Sequence, residues 1–153
     1  MHYEDVRDLL NDLGWDADGA DCVVVTRAEE PEGTAAADCA ITWLRNPDGG
    51  PIPAPRDRRS VAVVFDQFDA AKKKHAGHLL AQLRDSVAEK TVVRDNSRVF
   101  SATELLALGF VRERRPRAAG RFFVHDPALF YEPRDWNNPE HWAHPENFDK
   151  FRF

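Results

Sequence analysis

Cysteine is scarce, glycine is thin and no apolar run is long. The 153 residues hold two cysteines, one methionine and eight glycines. Cys22 and Cys39 form neither a CxxC pair nor a zinc-finger spacing. Each lies at or beside an apolar strand candidate, so buried free thiols are expected. A disulfide or a reactive pair is the alternative, although nothing nearby in sequence would depress a thiol pKa. The few glycines leave no glycine-rich phosphate loop after any candidate strand, which removes the usual nucleotide fingerprints. No stretch reaches the roughly 18 apolar residues of a membrane span. The acidic start, "MHYEDVRDLL", lacks the basic and apolar regions of a signal peptide. A cytoplasmic protein without a membrane partner is expected. No internal repeat is present. Positive charge is also short. The net charge is -5 and the pI about 5.7, so nucleic acid is disfavoured as a partner for want of a basic field.

What is present reads as one small α/β domain. Apolar residues make 42% of the chain and charged residues 31%, an ordinary globular balance. In mid-chain "RRSVAVVF" leads into "DQFDAAKKKHAGHLLAQLRDSVAEK" and then "TVVRD". An apolar run, a helical stripe and a second apolar run spell a βαβ crossover, the unit of a parallel sheet. The stripe is Ala76, Leu79, Leu80, Leu83 and Val87.

Before it, Tyr3–Leu13 is an amphipathic helix with Val6, Leu9, Leu10 and Leu13 on one face. Gly14 is placed to end it in a left-handed conformation. "CVVVTR" at 22–27 is a buried strand, and "ADCAITWLR" a second one with weaker β character. The proline- and glycine-rich segment 46–58 cannot continue helix or central strand. It is expected as an exposed surface loop, with a lid as the alternative. After the crossover, "SATELLALGF" predicts a short helix with Ser101 and Glu104 as a capping box and Gly109 as its stop. "FVRERR" and "RFFVHD" predict an antiparallel pair.

The expected architecture is a three-layer Rossmann-like sheet, partly parallel, closing with an antiparallel C-terminal pair. Residues 1–127 form the domain, and residues 128–153 form an aromatic-rich extension. Tyr131, Trp136, Trp142, Phe148, Phe151 and Phe153 make the extension too aromatic for a disordered tail. It is expected to pack on the core or to reach a protein partner, a second copy included.

From Ser60 to Asp126 the pieces "VAVVFD", "HLLAQLRD", "KTVVRD", "ELLALGF" and "GRFFVHD" resemble the C-terminal half of a class I S-adenosylmethionine-dependent methyltransferase. The resemblance implies a sheet crevice for S-adenosylmethionine, with Asp66 beside the donor or substrate. It stops at the cofactor signature. The turn after the first strand, "VVVTRAEEPEGT", has only a late Gly33 where that family has an acidic residue and glycines. The chain as a whole, its aromatic tail above all, also resembles an uncharacterised bacterial protein family of small Rossmann-like proteins. That second resemblance implies no activity.

The candidate sites each have two readings. Asp66, Gln67 and Asp69 follow the best strand, where open α/β sheets bind ligands. Asp66 there is a candidate catalytic acid or base. All three, with Lys72, are candidate cofactor contacts. The favoured alternative is a helix-start cluster in which Asp69 caps orphan N–H groups. Lys72, Lys73 and Lys74 sit unfavourably at a helix N-terminus unless an anion relieves them. The plainer reading is solvated lysines paired with Asp69 or other acids. His75 and His78, three apart, lack a third metal ligand nearby, so no metal is expected. His125 and Asp126 would point to opposite faces of a strand, which forbids a dyad. His141 and His144 sit in a Trp- and Pro-rich segment and suit packing or turn roles. Arg112, Arg114, Arg115, Arg117 and Arg121 form a basic hairpin that could contact a phosphate, an acidic protein or RNA. Phe122 and Phe123 are candidate stacking platforms, one at least expected in the core. The sum favours a non-catalytic binding, regulatory or assembly role on a degenerate methyltransferase-like fold. Methyl transfer from S-adenosylmethionine is the alternative.

Overall fold

The computed structural model describes residues 3–16, 19, 21–27, 41–53, 55–65 and 68–130. Helix α1 is Tyr3–Asp12, and strands β1, β2 and β3 are Cys22–Thr26, Ile41–Arg45 and Arg59–Phe65. A 3-10 turn at Ala70–Lys72 opens helix α2, Lys73–Gln82, and a π turn at Leu83–Val87 closes it. Strand β4 is Ala88–Arg94, α3 is Ala102–Ala107, β5 is Val111–Glu113, β6 is Phe122–His125 and α4 is Pro127–Phe130.

The strands make one sheet in the order β2-β1-β3-β4-β6-β5. The first four run parallel, and β6 pairs antiparallel with both β4 and β5. Central registers put Val24 beside Val63 and Val63 beside Val92. Strands covered on both faces need apolar residues at every position rather than at alternate ones. That is why β1 and β3 read as unbroken runs.

Alternation then sends neighbouring residues into two cores. Val24, Val63, Val92 and Phe122 meet Val6, Leu9, Leu10 and Leu13 of α1. Val25, Val64, Val93 and Phe123 meet Leu79, Leu80, Leu83 and Leu105 on the opposite face. The predicted stripe on α2 is buried at all of its positions, from Ala76 to Val87. Each such leucine contributes about 1.5–3 kcal/mol by leaving water. Gly14 (φ 71°) and Gly109 (φ 93°) stop their helices in the left-handed region, as expected. The capping box is formed. Ser101 Oγ accepts from the Glu104 N–H, and Glu104 Oε2 accepts from the Ser101 N–H.

Two expectations need correction. The helix does not run on through Lys90. Glu89 and Lys90 belong to β4, because Ala88 already pairs with Arg59 in the ladder. The wider π turn brings Val87 and Ala88 into the core without a loop. Nor is the 46–58 segment a free surface loop in its described part. Ile52 is buried, and Gln82 holds it twice: the Ile52 N–H donates to Oε1 (2.8 Å) and Nε2 donates to the Ile52 carbonyl (2.6 Å). Asn46 Nδ2 donates to the Gly50 carbonyl, and Arg58 donates to the carbonyls of Arg84 and Ala88. Prolines remove N–H donors from this segment, so side chains supply its anchors.

Candidate functional site: an arginine cleft

The carboxyl ends of parallel strands are where an open α/β sheet gathers its ligands. Here the chain leaves β1 for β2 on one side and returns to β3 on the other, so the topological switch point lies between β1 and β3. Asp66 and Gln67, and the 28–40 segment that follows β1, lie outside the described residues. The same is true of Cys39, of His141 and His144, and of the tail from Tyr131.

Of the other candidates, Asp69 is a helix-start residue. Its Oδ1 accepts from the Ala71 N–H at 3.0 Å. Lys72 is exposed. Lys73 is the one that turns inward, and its partner is not Asp69. Its Nζ lies 2.8 Å from Glu104 Oε1 on α3 and 5.4 Å from the centroid of the Phe100 ring. His75 and His78 are exposed, and among the described residues no three metal-ligating side chains come together. His125 and Asp126 part as expected. His125 Nδ1 sits 2.9 Å from the Gly109 carbonyl, whereas Asp126 accepts from the Ala128 N–H.

The hairpin arginines divide into two groups. Arg115 donates to Glu113 Oε2 and to the Leu13 carbonyl, and Arg117 pairs with Asp12 at 3.4 Å. Both fasten the hairpin, and the Arg115 contact holds the Glu113 carboxyl below its usual range. Arg112, Arg114 and Arg121 instead turn to the face of α2 and α3. There they join Arg98 and Lys73 around a cleft of about 740 Å³. Glu104 is the one carboxylate in its lining. It is already engaged by Lys73 and the Ser101 N–H, which keep its carboxyl below the usual range.

Three features hold these charges together. Arg112 and Arg121 lie over one ring, their Cζ atoms 5.4 and 5.1 Å from the Phe123 centroid, where the negative face of the ring attracts them. Asp95, fully buried, sits 4.0 Å from Arg121 Nη1. Its Oδ1 accepts from Ser97 Oγ and from the Arg98 N–H, which fixes Arg98 at φ 57°. Among the described residues Arg98 is the one non-glycine in the left-handed region. Backbone strain of this kind persists where surrounding structure enforces it, and it concentrates at binding sites. The crowding has an electrostatic signature. Burial first, then the charges of Arg121, Arg114 and Arg98, push the Arg112 guanidinium below its ordinary pKa.

A family model matches residues 4–153 of the chain. The chain belongs to this family of unknown function, DUF6231. Searches of curated proteins and of solved structures find no match. What this DUF6231 chain binds must therefore be argued from its own residues.

One reading changes and another holds. Phe122 and Phe123 are not stacking platforms, because both are buried, on opposite faces of the sheet. Cys22 is a buried free thiol, and burial pushes its pKa up to about 12, so it is chemically quiet. A second cavity of about 760 Å³ opens at the same end of the sheet on the α1 face. Its charges are mixed and partly paired, Arg117 with Asp12 and Arg94 over Phe65. The arginine cleft is the stronger site because five cationic side chains line it against one carboxylate, Glu104, which Lys73 already holds.

Proposed function

We propose that the chain is a non-catalytic binding protein on a methyltransferase-like fold, with the arginine cleft as the site for an anionic ligand. One observation carries this. Arg98, Arg112 and Arg114 converge at the carboxyl end of the sheet without an ion-pair partner among the described residues. Guanidiniums so placed repel one another until an anion binds. The reading takes the protein to be cytoplasmic and bacterial. It gives residues 128–153 the role of an extension that contacts a protein partner or a second copy. Sedimentation of the full chain beside a Trp136→Ala/Trp142→Ala variant tests that role. Loss of a dimer mass in the variant is the expected result, and identical masses would remove the tail as a contact surface.

The second reading is an S-adenosylmethionine-dependent methyltransferase acting on a small molecule or macromolecule. The succession of β3, α2, β4, α3 and the β5–β6 pair favours it, as does the switch point between β1 and β3. One experiment separates the two. Thermal unfolding is followed at fixed ionic strength with sulfate replacing chloride, and calorimetry follows S-adenosylmethionine and S-adenosylhomocysteine. Sulfate is expected to raise the Tm through mass action on the folded state. An Arg112→Gln/Arg121→Gln variant is expected to lose that rise. A saturable micromolar isotherm for S-adenosylmethionine, one site per chain, would overturn the non-catalytic reading.

A further inference from the structure

We infer that the ligand of the arginine cleft is a small molecule carrying two linked phosphate groups, such as a pyrophosphate ester. The inference rests on the anion-binding reading above and adds the ligand's class.

Charge sets the number of phosphates. Arg98, Arg112, Arg114 and Arg121 line the cleft, and the lining carboxylate is held by Lys73. One phosphate group carries about 1.5–2 negative charges near neutral pH. With Asp95 already offsetting one of the four charges from behind Arg121, a single group would leave about one of the remaining three unanswered. Two linked groups come close to balancing them. A guanidinium also presents a planar fork that matches phosphate oxygens in pairs. Arg112 and Arg121, gathered on the Phe123 ring, suit one phosphate. Arg98 and Arg114 complete the lining for the next.

The surface of the cleft argues against a larger polyanion. The cleft, at about 740 Å³, is in the range of small-molecule sites and exceeds what a lone phosphate fills. A single-stranded nucleic acid needs aromatic faces on which bases stack. Phe100 and Phe123, the aromatics of the lining, are 4% and 0% exposed. Phe123 is moreover covered by the two arginines. With a net charge of -5 the chain as a whole repels a long phosphate backbone.

Asp95 is a positioning residue in this scheme. It touches no ligand. It holds Arg121 from behind and sets the turn that carries Arg98.

The test is calorimetric titration of the full chain at one ionic strength with sodium pyrophosphate, inorganic phosphate, citrate and a ten-nucleotide oligouridylate. Pyrophosphate is expected at one site per chain, at least about tenfold tighter than phosphate or citrate, the scale of one added charge-assisted hydrogen bond. Arg112→Lys and Arg121→Lys, which keep the charge and the ring contact but lose the fork, are expected to weaken pyrophosphate at least about tenfold on the same basis. Arg56→Gln, at an exposed position of the 46–58 segment, is expected to leave it unchanged. If phosphate or citrate binds as tightly as pyrophosphate and the lysine variants lose both, the diphosphate inference fails while the anion site stands. If no anion binds, or pyrophosphate binding survives both the lysine changes and Arg112→Gln/Arg121→Gln, the two fall together. Oligouridylate binding tighter than pyrophosphate would overturn the inference in favour of nucleic acid.

Discussion

Phe123→Ala is expected to cost the fold about 3–5 kcal/mol, the range for emptying a buried aromatic site. The ring is fully buried and packs in the core that holds Leu79, Leu80, Leu83 and Leu105. It also lies at the middle of the β4–β6–β5 ladder, paired with Val93 on one side and Arg112 on the other. Strands on both sides limit how far the site can collapse, which places the cost toward the upper end. Part of the loss belongs to the cleft. Two guanidiniums rest on this ring, each contact contributing about 0.5–1 kcal/mol. Phe123→Leu separates the parts, since it keeps most of the volume and removes the ring. It is expected to cost about half as much as alanine and to release Arg112 and Arg121. Urea unfolding measures both, as a lower midpoint with an unchanged slope. An alanine variant within 1 kcal/mol of the parent would mean that β6 does not close this core.

The elements were legible in the sequence because short-range chemistry specifies them. The leucine stripe of α2, the Ser101–Glu104 box, the stops at Gly14 and Gly109 and the β5–β6 pair each depend on residues within a few positions of one another. The cleft was only half legible. Alternation along β5 correctly puts Arg112 and Arg114 on the same side. It says nothing of Arg98 and Lys73, which arrive from the β4–α3 connection and the start of α2 once the sheet order is set. Nor could composition separate Arg115 and Arg117 from the others, because their partners, Glu113 and Asp12, are chosen by tertiary placement. Lys73 does pair with a surface acid, but which one depends on the same placement. Asp69 was its neighbour at i,i+4, but that carboxylate turns to the Ala71 N–H and Glu104 takes the lysine. A local signal for Arg98 did exist. An acid ending a buried strand, followed by Ser97, reads as a side-chain turn that folds back on the backbone.

That acid carries the second large effect. Asp95→Ala is expected to destabilise the protein by about 3 kcal/mol. The carboxylate is fully buried and accepts from Ser97 Oγ at 2.6 Å and from the Arg98 N–H at 3.1 Å. Hydrogen bonds to a charged group contribute about 1.5–3 kcal/mol, and removing one side of a buried pair leaves the other unanswered. Oδ2 makes no hydrogen bond among the described residues and faces Arg121 at 4.0 Å. Its contribution is therefore chiefly Coulombic. Asp95→Asn keeps an acceptor for the turn but not the charge, and it is expected to cost about 1–2 kcal/mol, the difference between hydrogen bonds to a charged and to a neutral acceptor. Asp95 is also the counter-charge behind a group of arginines that repel one another. Without it the repulsion must be met from outside. Added sulfate at constant ionic strength should stabilise Asp95→Asn more than the parent. Equal stabilisation of the two would show that the arginines of the cleft do not depend on Asp95 to come together.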